Sequence, residues 1–232
     1  MSVILETKQL TKAYGKKVAL SNVNLTIERG KIIGLLGPNG SGKTTFIKLI
    51  NGLLTPTQGE IFVGGKVPGV ETKAMISYLP DKNYLNDWMK IDQLIEFFGD
   101  FYKDFSKEKA NEMLASLNLR GDQKLKTLSK GNQEKVQLIL VMSRKAQLYL
   151  LDEPIAGVDP AARDYILKTI LTSYNPEASV MISTHLIADV EQVLDEIIFI
   201  KEGEILMTST VDDIREKEQK SVDGLFREVF KC

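Results

Sequence analysis

One cysteine, one histidine and one tryptophan occur in 232 residues, and the cysteine, Cys232, is the last residue. No disulfide can form within a single chain, which fits a reducing compartment, and prenylation would need the cysteine about four places from the end. Missing too is any apolar run near the roughly 18 residues that a membrane-crossing helix requires. The longest, Ile32-Ile33-Gly34-Leu35-Leu36 and Leu138-Ile139-Leu140-Val141-Met142, are far shorter. The start, Met1-Ser2-Val3-Ile4-Leu5-Glu6, lacks the basic opening and apolar centre of a secretory leader, so a cytoplasmic location is expected. With 30 basic and 31 acidic residues the net charge is -1, and no overall basic field exists to recruit nucleic acid or anionic lipid. There is no internal repeat, low-complexity tract, sustained heptad or zinc-ligand cluster. A hydrophobic share of 43% at this length suffices for one large domain or a domain with a lobe.

Against these absences stands Gly37-Pro38-Asn39-Gly40-Ser41-Gly42-Lys43-Thr44, which fits the phosphate-binding pattern G-x-x-x-x-G-K-[ST]. Its context fits as well. Lys31 to Leu36 reads as a buried strand ending at Gly37, and Thr44 to Ile50 continues as a helix that Gly52 can close. Glycines let successive backbone N–H groups converge on phosphate oxygens, and the helix adds its positive end. Pro38, Asn39, Gly40, Ser41 and Gly42 form that cradle, Lys43 reaches the β- and γ-phosphates, and Thr44, followed by Thr45, offers a hydroxyl to Mg²⁺. A nucleoside triphosphate is the predicted ligand. An accidental glycine-rich turn is the competing structural reading.

The first 30 residues turn like a small antiparallel sheet, with Val3-Leu5 and Val23-Ile27 as candidate strands, and Glu60-Val63 follows the turn Pro56-Thr57-Gln58-Gly59. From Asp81 to Val136 the pattern becomes helical: Ala110, Met113, Leu114 and Leu117 recur at i, i+3, i+4, i+7, with Ser106 as a cap. Strand-like runs return at Leu148-Leu151, Val180-Ser183, and in a hairpin pair, Ile197-Ile200 and Ile205-Met207, around Glu202-Gly203. The expected class is α/β: a phosphate-loop core with a mainly parallel sheet and flanking helices, an N-terminal antiparallel β region and an inserted α-helical lobe. One domain spanning 1–232 divides into a core (1–80 and 141–210), a helical lobe (81–140) and a C-terminal helical segment (211–232). In that last segment Ile214, Leu225, Phe226, Val229 and Phe230 form an apolar face that closes the core or meets a partner.

Leu148-Tyr149-Leu150-Leu151-Asp152-Glu153 is an apolar strand ending in two acids, an arrangement by which phosphate-loop enzymes bring a carboxylate to Mg²⁺. Asp152 would serve the metal, and Glu153 could orient and deprotonate the water attacking the γ-phosphate. Acidic pairs at strand ends are also ordinary solvated loop residues.

Together these residues resemble the nucleotide-binding subunit of an ATP-binding cassette protein, over nearly the whole chain. Leu128-Ser129-Lys130-Gly131-Asn132 is similar to the family signature LSGGQ, and Ile155-Ala156-Gly157-Val158-Asp159-Pro160 to the aspartate loop that follows the acidic strand. Ser183-Thr184-His185-Leu186 resembles the switch-histidine segment, Ser77-Tyr78-Leu79-Pro80-Asp81 resembles the loop ending the first sheet, and Tyr14 sits where the family places an aromatic on adenine. The phosphate loop alone leaves kinases, GTPases and motors open; the ordered set narrows the field.

The resemblance implies ATP with Mg²⁺, His185 donating to the γ-phosphate, Tyr14 stacking on adenine, and Asp159 in communication between subunits. Ser129 and Gly131, at a helix start, would face the nucleotide of a second cassette subunit, since one phosphate loop and one signature per chain complete a site only in a head-to-tail pair. Bland rivals exist: His185 as a packing residue, Tyr14 as a strand aromatic, Ser129 as a plain helix cap. Two departures stand out. Asp81 replaces the family's glutamine, putting a carboxylate where an amide touches metal and water, and is a further metal candidate beside Thr44 and Asp152. Lys130 and Asn132 replace glycine and glutamine of the signature.

The implied function is an ATP-hydrolysing subunit at the inner face of the cell membrane that dimerises on ATP and drives a separate permease, an exporter, with no nucleic-acid partner. Tyr84-Leu85-Asn86-Asp87-Trp88 would dock a permease helix, against the alternative that Trp88 is core. A soluble cassette ATPase acting on nucleic acid or the ribosome is the alternative, and a small-molecule kinase is a third reading.

Overall fold

The computed structural model describes residues 2–156, 160–175 and 177–231. Strands β1 (Val3–Tyr14), β2 (Lys17–Glu28) and β4 (Gln58–Val63) form an antiparallel sheet in the order β2-β1-β4. A second, six-stranded sheet runs β5-β6-β7-β3-β8-β9, built from β3 (Ile32–Leu36), β5 (Ile76–Leu79), β6 (Leu148–Asp152), β7 (Ser179–Thr184), β8 (Glu196–Lys201) and β9 (Glu204–Thr210). All its pairings are parallel except the β8–β9 hairpin around Glu202-Gly203. The helices are α1 (Lys43–Ile50), α2 (Val70–Met75), α3 (Ile91–Phe101), α4 (Lys107–Ser116), α5 (Lys130–Met142), α6 (Pro160–Ser173), α7 (Ile187–Val190), α8 (Val211–Asp213) and α9 (Val222–Phe230). No helix among the described residues is long and apolar enough to cross a membrane.

The continuous apolar run of β3 exists because both faces of its sheet are covered. Period-2 alternation sorts its side chains: Ile33 and Leu35 join Phe46, Ile47 and Leu49 of α1 and the antiparallel sheet, whereas Ile32 and Leu36 join the core under α3, α5 and α6. Leu148 and Leu150 of β6 likewise face the first core, and Tyr149 and Leu151 the second. The parallel sheet is thus the middle layer, and the ends of β3, β6 and β7 come together at one edge.

In the helical lobe, Ile91, Leu94, Ile95 and Phe98 repeat at helical spacing along α3 and are buried. Ser106 caps α4 by accepting from the Lys109 N–H, and Ser129 caps α5 by accepting from the Asn132 N–H. The helical pattern expected from Asp81 begins only at α3. Asp81 to Lys90 carries turns instead, where the Asn83 side chain accepts from the Leu85 N–H and competes with helix formation. At the C-terminal end Ile214, Leu225 and Phe226 are buried, and the Phe226 ring packs edge-on to Phe199 of β8 with centroids 5.5 Å apart, so this segment closes the core.

Candidate functional site

The phosphate loop is held open by backbone geometry that only glycine permits at two places. Gly42 has φ 112°, and a Cβ there would lie 2.7 Å from the Ala19 carbonyl oxygen; a Cβ at Gly37 would lie 2.3 Å from that of Ile200. The loop is pinned from below, where the Gly203 N–H of the β8–β9 turn donates to the Ser41 carbonyl at 2.9 Å. The Ser41 hydroxyl is buried without a partner.

Lys43, the first residue of α1, curls back over the loop. Its buried ammonium donates to the carbonyls of Gly37 at 2.8 Å and Pro38 at 3.3 Å, and pairs with Glu153 Oε1 at 3.3 Å. Glu153 follows β6 in the left-handed region, φ 53°, with its N–H donated to both the backbone and the side-chain oxygen of Ser183. This fixes the carboxylate so that Oε2 lies 3.0 Å from His185 Nδ1. Asp152, at the end of β6, is almost fully buried. Its Oδ1 accepts from Ser183 Oγ at 2.5 Å and from Thr44 Oγ1 at 3.2 Å, while Oδ2 has no partner. Burial pushes the Asp152 carboxyl above its ordinary range, with the charges of Asp81 and Glu153 acting in the same direction and the bonds from Ser183 and Thr44 opposing.

These groups open onto a cleft of about 660 Å³. Tyr14, half exposed, lines it together with Lys17, Val18, Asn39, Gly40, Gly42, Thr44 and Thr45, and Asp81, Glu153 and His185 line it too. Its size suits a nucleotide. The donor set suits a hard cation: a buried carboxylate oxygen lacking a partner next to a threonine hydroxyl. Among the described residues no three His, Cys, Asp or Glu side chains are close enough to hold an ion by themselves, so Mg²⁺ fits here as an ion bound partly through phosphate oxygens.

Ser129 and Gly131 do not line this cleft. They sit at the start of α5, where a Cβ at Gly131 would meet nothing within 4 Å. Lys130 lines a smaller cavity of about 340 Å³ between the Asp81 loop, α5 and Glu153, and Asp81 lines both this cavity and the main cleft. Asp159 lies outside the described residues. The sequence singles out Ser183 and Glu202 only as parts of a motif and a hairpin turn, and gives no signal for Lys17 and Val18; Lys17, Val18 and Glu202 also line the main cleft. The contact of Ser183 follows from the pairing of Asp152 with Ser183 between β6 and β7, for which no local pattern exists.

The profile of a family described as ABC transporter matches residues 20–156. The chain is 31% identical to the ABC-type transporter ATP-binding protein EcsA of Bacillus subtilis (strain 168), covering 98% of this chain and 97% of that protein. It is 29% identical to the SkfA peptide export ATP-binding protein SkfE of the same organism, over 93% of each. A solved ATP-binding subunit of an ABC transporter superposes with a TM-score of 0.86 at 28% identity, covering 98% of this chain and 99% of that one.

Proposed function

The chain belongs to the ABC transporter family, as an ATP-binding subunit, and on that premise we propose that it hydrolyses ATP in a dimer that drives a separate membrane permease. The observation that carries the proposal is the convergence of Lys43, at 3.3 Å, and His185, at 3.0 Å, on the two oxygens of Glu153, next in sequence to Asp152, which Thr44 meets. In this reading the loop N–H groups and Lys43 bind the β- and γ-phosphates, Tyr14 stacks on the adenine, and Glu153 accepts a proton from the attacking water while His185 orients the terminal phosphate. Thr44 and Asp152, with Asp81 alongside, would hold Mg²⁺, which when bound would supply neutralising charge at the phosphates. Water is not excluded from the half-open cleft by one chain. Ser129 and Gly131 of a second subunit would cover it, and Asp159 would lie near that junction.

A permease as partner is supported by the helical lobe. Tyr84, Trp88, Phe97 and Phe101 are exposed, Trp88 at 61% and Phe101 at 69%. Tyr84 and Phe101 line an apolar groove of about 720 Å³ running from Leu53 and Val70 to Phe101 and Tyr102. An aromatic surface of this extent marks a protein contact. The name of SkfE favours export as the direction. Near-neutral charge speaks against the nucleic-acid alternative. The location would be cytoplasmic, at the inner face of the membrane through the permease. The test is photocrosslinking from position 88 in membranes: the reading predicts capture of a multi-span membrane protein, and capture of ribosomal protein or nucleic acid instead would sink it.

A further inference from the structure

Of the described acids that line the main cleft, Asp81 and Glu153 are assigned above to the metal and the attacking water, and Glu202 has no task. Its place is set by the turn between β8 and β9. Glu202 holds the left-handed region at φ 50°, uncommon for a residue with a side chain and a mark of functional positions. The next residue, Gly203, donates its N–H to the Ser41 carbonyl of the phosphate loop at 2.9 Å and accepts from the Ser21 N–H of β2 at 2.9 Å. Strand β2 is the one whose Lys17 pairs with Tyr14. The turn is therefore clamped between the loop that takes the phosphates and the strand beside the adenine-stacking ring. A nucleotide carries its sugar in that interval.

A carboxylate can only accept hydrogen bonds. The phosphates offer it no donor and repel it, so its partners on a bound nucleotide are the sugar hydroxyls or an amino group of the base. Tyr14 takes the base by its face, and the sugar joins that base to the phosphates over the segment that the turn spans. We propose that Glu202 is a specificity residue that accepts from the ribose hydroxyls, the 2′-hydroxyl above all, and so selects ribonucleotides over 2′-deoxyribonucleotides. An acid meets the ribose in the same way in dinucleotide-binding folds. The inference rests on the nucleotide-binding function proposed above.

The experiment is calorimetric titration of the wild-type chain, Glu202→Gly and Glu202→Asn with the Mg²⁺ complexes of ADP, 2′-deoxyADP and inosine diphosphate. Diphosphates keep the measurement apart from the dimerisation that the functional reading ties to ATP. Glycine and asparagine both suit the left-handed backbone, and neither carries a carboxylate. Wild type should bind ADP at least about fivefold tighter than 2′-deoxyADP, and in both variants the ratio should fall below about twofold through lost ADP affinity, in line with one charge-assisted hydrogen bond open to water. The ratio of ADP to inosine diphosphate, which keeps the ribose and lacks the amino group, should be the same in all three proteins. A wild type without sugar preference, or a preference kept in either variant, would overturn the inference while leaving nucleotide binding intact. Equal weakening of ADP and 2′-deoxyADP would reduce Glu202 to a brace for the phosphate loop, and a changed ratio of ADP to inosine diphosphate would assign it to the base; either result overturns the inference. Failure of the wild-type chain to bind any of the three would remove the functional reading and this inference with it.

Discussion

Thr44 Oγ1 donates to Asp152 Oδ1 at 3.2 Å, joining the phosphate loop to the end of β6 across 108 positions of sequence. The bond uses the threonine proton and leaves its oxygen free to accept or ligate, and the other carboxylate oxygen, Asp152 Oδ2, is buried and unpartnered. Removing either oxygen should weaken the metal more than the nucleotide. Thr44→Ala and Asp152→Asn are each expected to raise the Mg²⁺ concentration for half-maximal hydrolysis by about tenfold or more. Metal titrations at saturating ATP check this, and an unchanged Mg²⁺ requirement in both variants would exclude the pair as metal contacts.

Asp152 should also tilt stability with pH. Burial holds its carboxyl above the ordinary 3.8, so folding favours the protonated form. A carboxyl raised in the folded state gives its most favourable contribution at low pH and loses it as pH rises through the folded-state value. Asparagine carries no such slope. Without nucleotide or metal, Asp152→Asn should therefore melt progressively higher than wild type as pH is raised from about 4 to about 8. Thermal melts across that range give the answer, and parallel curves would mean that the buried charge costs nothing.

Much of this architecture was readable, and the unread parts share a cause. The phosphate loop, the both-faces-buried strand β3 and the Ser106 cap of α4 are written in adjacent residues, and each stands where local chemistry put it. Candidate strands Val3-Leu5 and Val23-Ile27 were too short. β1 and β2 extend to 12 residues each, but left-handed Gln9 and Asn22 and a shifted register break the alternation that would reveal them. Ser183 on Asp152 and the Lys43–Glu153 pair depend on strand pairing over long sequence separations, which no window contains. Trp88 is evenly balanced between core and surface in the sequence, and the structure exposes it.

Tyr14 and His185 both line the cleft and should fail differently. Tyr14 is half exposed at the end of β1, whereas His185 lies 3.0 Å from Glu153. Tyr14→Ala is expected to raise KM about tenfold with kcat nearly kept, consistent with the loss of one stacking contact, and His185→Ala to lower kcat with a smaller change in KM. Steady-state kinetics separate the two, and equal losses of kcat would contradict the division.

Arg144 holds the helical lobe to the parallel sheet. Its buried guanidinium makes a bidentate pair with Asp104, donates to the carbonyls of Ile76 and Ala74, and lies 3.9 Å from the centroid of the Tyr102 ring. Arg144→Met would leave those acceptors unsatisfied, at a cost of about 3 kcal/mol and a melting temperature lower by about 10 °C. Calorimetry tests it; a shift of under about 2 °C would show the cluster to be dispensable.

The central claim is that Glu153 is the base of an ATP hydrolysis carried out by two chains together. Phosphate release from Mg-ATP and particle size should be measured on the same samples of wild type and Glu153→Gln. Wild type should release phosphate and show only transient dimers. Glu153→Gln should lose at least about 100-fold in rate, within the range for general base catalysis, while accumulating as an ATP-bound dimer. Turnover of the variant at the wild-type rate, or hydrolysis independent of protein concentration with no dimer in either protein, would contradict the account.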